Sequence, residues 1–244
     1  MSTPARRAIL VTGSGSGIGA AIVQRLAGPD TAIMLHAKTN RAGCERAAKA
    51  AEAKGAEVAI ELCDLQVPGA GGKLVEATAK AFGGLDVLIA NAGFPNRRVI
   101  GELTRADLDE LYGVVLAGFF DMATAALPYL KKSRDGRVVT VSTHNAHIFR
   151  NDYPVYPGSG AIKLGLEAMT SAFAVQMAPF KVTVNCVVPG LIRKEEGTEQ
   201  FLTPEEWATL CSKVPLGRIG EQDEVAALVQ FLASKDAAYI TGQS

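Results

Sequence analysis

Thr12-Gly13-Ser14-Gly15-Ser16-Gly17-Ile18-Gly19 follows the apolar run Ala8 to Val11 and leads directly into Ala20 to Leu26, a segment of helical period. A buried strand, a glycine-rich turn and a helix in that order form one βα unit. In such a unit the glycines let the backbone turn sharply and approach a pyrophosphate, whose charge meets the free N–H groups and positive dipole end of the helix. A glycine cluster alone is weak evidence. The strand before it and the helix after it give it meaning.

The same alternation continues outward from this unit. Short apolar runs suited to buried strands occur at Ala32 to His36, Glu57 to Leu62, Val87 to Ala90, Val138 to Val141 and Val182 to Val188. Helix candidates begin near Ile18, Arg41, Gly72, Arg105, Tyr156 and Glu221. Regular βα alternation predicts an α/β, Rossmann-type doubly wound parallel β-sheet with helices on both faces, joined by right-handed crossovers. Gly69-Ala70-Gly71-Gly72 is read as the flexible start of a helix, because the alternation runs on past it. The expectation is one domain over residues 1–244.

With 48% apolar and 20% charged residues the chain has the composition of a globular protein. Lys plus Arg equals Asp plus Glu at 25 each, so no global field draws it to nucleic acid or an acidic membrane, and a small-molecule substrate is expected. Cys44, Cys63, Cys186 and Cys211 lack metal-ligand or CxxC spacing, which predicts reduced thiols in a cytoplasmic protein. The apolar run after Arg6 and Arg7 is too short for a signal-peptide core, and no stretch reads as long enough to span a membrane. His144 and His147 lack a third ligand and read as polar loop residues, so no metal is expected.

The TGxxxGxG pattern resembles the glycine motif of the short-chain dehydrogenase/reductase family, and further family landmarks follow in order. Asp64 resembles the adenine contact, and Asn91-Ala92-Gly93 the NAG that closes the fourth strand. From Lys163 through Asn185 to Pro189-Gly190 the spacing follows the family without a gap, and Ile192 falls where relatives contact the nicotinamide amide. The resemblance implies a nicotinamide cofactor held by Gly13, Ser16, Ile18, Lys38, Asp64, Asn91, Ala92, Gly93, Lys163, Pro189, Gly190 and Ile192. Arg218 and Tyr239-Ile240-Thr241-Gly242 are also family-like, whereas about ten residues of the family's last strand are missing.

An acidic side chain after the second strand would bind the ribose hydroxyls of NAD and repel a 2′-phosphate. Ala37 stands near that place, and Lys38 and Arg41 offer positive charge, so NADP(H) is favoured. Ser16, where many NADP-dependent relatives carry Arg, leaves NAD(H) open.

Hydride transfer to a carbonyl leaves an alkoxide, which needs a proton donor. The family uses Tyr as acid, Lys to lower its pKa, Ser to orient the carbonyl and Asn to hold a water relay. Lys163 is present. Four residues before it, where the family has Tyr, stands Ser159; Val115 takes the place of Asn, and Thr143 that of Ser, with roughly three extra residues before Lys163. Tyr156, seven residues before Lys163, falls on the same helix face as Ser159 and Lys163. Tyr-x6-Lys resembles the divergent enoyl-thioester reductases of the superfamily, while Ser ahead of a retained Lys resembles the dienoyl-CoA reductases. The candidate catalytic set is therefore Tyr156, Lys163, Thr143 and Ser159, with Tyr156, Ser159 or no donor from this helix left open.

Residues 191–213 cross the mouth of the sheet and are read as a substrate lid, with Thr203-Pro204-Glu205-Glu206 starting a short helix through Leu210. Arg97, Arg98, Arg193 and Lys194 read as solvated charge or as an attraction for an anionic substrate group. The expected function is an NADP(H)-dependent oxidoreductase acting on a carbonyl, alcohol or enoyl thioester. The alternative is a cofactor-binding protein with weak or lost catalysis, serving as a sensor or assembly subunit. The run Leu164 to Ala178 is apolar on more than one face, and the resemblance implies a homo-tetramer or dimer.

Overall fold

The computed structural model of the chain describes residues 6–193 and 203–244. Among these, β1 (Arg7–Val11), β2 (Thr31–Ala37), β3 (Glu57–Leu62), β4 (Val87–Ala90), β5 (Arg137–Val141) and β6 (Thr183–Val187) form one parallel sheet in the order β3-β2-β1-β4-β5-β6. The strands match the expected runs to within a residue or so. Inner strands of a sheet covered on both faces are apolar, as β4 is throughout and β1 is from Ala8 on, whereas the edge strand β3 exposes Glu57 and Glu61.

Alternation along β1 builds two cores. Ile9 and Val11 face α1 (Gly17–Leu26), α2 (Arg41–Glu52) and α8 (Gln222–Ala233), while Leu10 faces α3 (Ala70–Phe82), α5 (Gly118–Leu130) and α6 (Pro157–Met177). The strand order reverses between β1 and β4, and a ligand crevice opens at such a switch point.

The structure corrects two expectations, on membrane-spanning length and on Tyr156. The helix expected near Arg105 is α4 (Arg105–Leu111), which runs through a π-helical turn (Tyr112–Ala117) into α5. That continuous run, Arg105–Leu130, is long and apolar enough to cross a membrane, contrary to the sequence reading. Its apolar residues serve the core instead: Leu111, Val115, Phe119, Met122, Ala126 and Leu130 are buried against the sheet and neighbouring helices. The second correction is at α6, which starts at Pro157, so Tyr156 is its N-cap rather than part of a helical face. At the outer edge of β6, the Gly242 N–H donates to Val184 O (2.8 Å) and the Cys186 N–H to Gln243 O (2.8 Å). Residues 242 and 243 thus cover part of the edge where the family's last strand is expected.

Candidate active site

Thr12 and Asn91 lock the switch point. Thr12 Oγ1 accepts the N–H groups of both Asn91 and Ala92 (3.0 Å each), and Asn91 Nδ2 donates to Thr12 O (2.9 Å) and Gly13 O (3.2 Å). The loop and the start of α1 are packed tightly enough that only glycine fits at position 19. A Cβ there would lie 2.1 Å from Gly13 O. Gly13, Ser16, Ile18, Asn91 and Gly93 line a cleft of about 490 Å³ that faces the N-terminus of α1. Ser16, the N-cap of α1, makes no side-chain capping bond, so the N–H groups of the first turn are not taken up by its hydroxyl. A cradle of close backbone and helix N–H donors fits a dinucleotide's pyrophosphate.

Two residues that the sequence reading passed over hold this loop. His36 is buried at the end of β2, with Nδ1 accepting from the Gly13 N–H (3.3 Å) and Nε2 donating to Cys63 O (3.0 Å). Burial lowers its pKa, so it stays neutral and keeps one donor and one acceptor for these two bonds. Asn40 caps α2 by accepting the Gly43 N–H (3.0 Å), and its Nδ2 donates to Gly15 O (3.0 Å). The bonds that tie His36 and Asn40 to the glycine loop come from residues close in space but distant in sequence.

Beyond the glycine loop, a recess of about 280 Å³ is lined by Ala37, Lys38, Asn40, Asp64 and Ala92. Lys38 Nζ lies 2.7 Å from Asp64 Oδ2. The Lys38 hydrogen bond holds the Asp64 carboxyl below its ordinary range, and the Lys38 ammonium is raised in turn. Both predicted adenine-end residues are thus together, as a pair.

At the other end, Lys163 on α6 reaches under Gly93 and donates to Val141 O (2.5 Å). A Cβ on Gly93 would lie 3.2 Å from Lys163 Nζ and 3.5 Å from Val115 Cγ2. Val115 therefore does occupy the place beside Lys163, buried and without a polar group. Burial lowers the Lys163 pKa to about 8. Ser159 lines the same cleft, but its hydroxyl accepts the Asn96 N–H (2.8 Å) and so fixes the loop after β4.

A second cavity of about 640 Å³ continues from the first, and Ile18, Val141, Thr143, Asn145 and Ile192 line both. Its outer wall includes Pro189, Gly190 and, from α7 (Pro204–Ser212), Trp207, Leu210 and Cys211. The short helix expected in this segment is present: it begins at the predicted proline, runs two residues past Leu210 and borders the cavity. Residues 194–202, including Lys194, lie outside the described residues, as does the side chain of Glu206. Arg98 pairs with Asp107 (2.7 Å) and Arg193 with Glu221 (2.9 Å), and Arg193 and Arg97 both line the second cavity.

Tyr156 is buried on the wall of this second cavity and does not line the cleft that holds Lys163. A second phenol, Tyr153, is there too, with its hydroxyl 2.7 Å from His144 Nε2. His147 points elsewhere, 2.9 Å from Glu167 on α6, so the two histidines diverge. Among the described residues no cluster of three or more His, Cys, Asp or Glu could hold a metal ion.

The pattern of a protein family described as enoyl-(acyl carrier protein) reductase matches residues 13–244. The chain belongs to the short-chain dehydrogenase/reductase family. An oxidoreductase of Methylorubrum extorquens is 32% identical over 100% of this chain and 96% of its own. The 3-oxoacyl-[acyl-carrier-protein] reductase of Thermotoga maritima is 31% identical over 96% of this chain and 93% of its own. In structure, the 3-oxoacyl (acyl-carrier-protein) reductase of Agrobacterium tumefaciens with NADP bound superposes with a TM-score of 0.88 at 30% identity, covering 98% of this chain and 92% of that one. The chain shares the fold of these oxidoreductases over nearly its whole length.

Proposed function

We propose that the chain is an NADP(H)-dependent oxidoreductase that moves hydride to or from a carbonyl, alcohol or enoyl-thioester substrate. The continuity of the two cavities carries this reading: the cleft of the glycine loop and the pocket under α7 share Thr143 and Ile192 at their junction. When bound, the nicotinamide supplies or takes the hydride. Lys163 holds the nicotinamide ribose, and Thr143, which lines the same cofactor cleft, offers its hydroxyl to the substrate oxygen.

 The loop ahead of α6 brings two phenols, Tyr153 and Tyr156, to the substrate pocket as proton sources. NADP(H) is favoured because Ala37 puts no carboxylate at the end of β2 and Lys38 lies in the adenine recess. The NADP-bound relatives support the same choice.

Cofactor binding with weak or lost catalysis is the second reading, favoured by the Ser159 hydroxyl being engaged by Asn96 and by the apolar Val115. Fluorescence titration with NADPH and NADH, followed by turnover of ketones, secondary alcohols and enoyl thioesters, separates the two. Turnover with tighter NADPH binding supports the enzyme. Tight binding with no turnover on any substrate class favours the binding protein, and absence of binding to either nucleotide removes both. We also propose a cytoplasmic homo-tetramer or dimer, since α6 exposes the apolar Leu164 and Val175; light scattering that returns the 25.6 kDa monomer would exclude it.

A further inference from the structure

We propose that Tyr153 and His144 form a proton relay for the substrate hydroxyl, taking over the part that the family gives to a tyrosine beside the lysine. This rests on the oxidoreductase reading above. His144 is pinned from two sides: its backbone N–H donates to Pro189 O (2.9 Å) and its Nδ1 lies 3.2 Å from the same oxygen. A carbonyl oxygen only accepts, so Nδ1 carries the hydrogen and the neutral ring's Nε2 is left to accept from the Tyr153 hydroxyl at 2.7 Å. The two rings meet edge to face, with centroids 5.4 Å apart. Both line the substrate cavity together with Thr143, and Pro189 belongs to the segment that borders it.

In this arrangement the substrate alcohol gives its O–H proton to Tyr153 Oη while the Tyr153 proton passes to His144 Nε2. The substrate carbon's hydride goes to the oxidised nicotinamide, which leaves a carbonyl product, a neutral phenol and an imidazolium. The imidazolium then releases its Nε2 proton to water, and reduction runs the same steps backwards. Burial, with the nearby Tyr156, pushes the Tyr153 phenol up to about 12 against the pull of Arg97, so Tyr153 stays protonated and conducts rather than stores the proton. Burial lowers the His144 pKa, with the Pro189 carbonyl opposing, so the ring is an acceptor at neutral pH. The other charged groups on this wall, Arg193 and Arg218, are paired with Glu221 and Glu224, and Lys213 with Asp152 beside Tyr153.

The test combines a cofactor-free and a kinetic measurement on the full chain. Histidine NMR of the protein without nucleotide should show His144 as the Nδ1–H tautomer, with a pKa below the ordinary value of about 6.5 that moves in Tyr153→Phe. Oxidation of secondary alcohols with NADP should rise with pH along a limb below about 6.5, since the neutral ring is the acceptor. Tyr153→Phe should lower kcat by about 10²-fold with NADPH binding retained, and His144→Gln should lower it and abolish the limb. Should Tyr153→Phe fail to bind NADPH, the pH profiles of wild type and His144→Gln decide. An active wild type with both variants within a few-fold overturns the relay alone, as does a larger loss in Tyr156→Phe than in Tyr153→Phe. A wild type that binds NADPH but turns over nothing overturns the relay and the oxidoreductase reading together.

Discussion

The two ends of the cleft are built on different rules. At the glycine-loop end, backbone meets backbone: Gly13, Gly19, Asn91 and Thr12 interlock, and His36 and Asn40 tie them to neighbouring strands. At the lysine end side chains line the cleft, and there Val115 and Ser159 stand where the family resemblance leads one to expect Asn and Tyr. Close backbone packing admits few residue types, whereas a proton donor has only to reach the substrate oxygen. The first end is therefore recognisable by motif, and the second has to be found by geometry.

The largest expected effect tests the rigidity of the first end. Gly19→Ala places a methyl 2.1 Å from Gly13 O and 2.7 Å from Asn91 Nδ2, where backbone would have to move. Loss of measurable NADPH binding and a destabilisation of about 1–3 kcal/mol or more are expected by fluorescence and thermal melting. A variant that binds like wild type would show that the cradle yields and that the contrast between the two ends is false.

Val115→Asn tests the second end from the opposite direction, by restoring the family's residue. Val115 is buried beside Gly93, among the apolar side chains of the core under α5 and α6. An amide without a partner there costs about 1–3 kcal/mol, so a lower melting temperature with no gain in turnover is expected. A gain in kcat would mean that the usual proton route is still waiting for its Asn.

Much of the first end is legible in the sequence because inner parallel strands are apolar throughout and glycine motifs have fixed spacing. The parallel sheet covered by helices and the position of the glycine loop follow from those two features, and the place of Lys163 from the family resemblance, whereas the strand order came from the structure. His36 and Asn40 were not legible, since their partners Cys63 and Gly15 lie 27 and 25 residues away. Nor was the length of the helical run through α5, because a π-helical turn shifts the apolar stripe midway. The Tyr153–His144 pair stands in an irregular loop, where no periodicity links residues nine apart.

Lys38→Glu probes the adenine recess, where the sequence favours NADP(H) by an absence at Ala37 and a charge at Lys38. The substitution removes the partner of Asp64 and adds a third carboxylate, beside Asp64 and Glu110, to the same recess. A shift of about tenfold in the NADPH-to-NADH affinity ratio towards NADH is expected, equivalent to about 1.4 kcal/mol. An unchanged ratio would place the determinant elsewhere in the recess.

Ser159→Ala is the gentlest probe and bears on what replaced the family's tyrosine. The Ser159 hydroxyl receives the Asn96 N–H, so its removal leaves that donor unpaired in a partly buried position. A loss of about 1 kcal/mol in stability is expected, with a raised KM and an NADPH affinity close to wild type, because the loop from Gly93 to Asn96 borders the substrate side. A fall in kcat with KM unchanged would instead make Ser159 a participant in proton transfer. The position that carries the acid elsewhere in the family would then still carry chemistry here, and the relay through Tyr153 would lose its reason to exist.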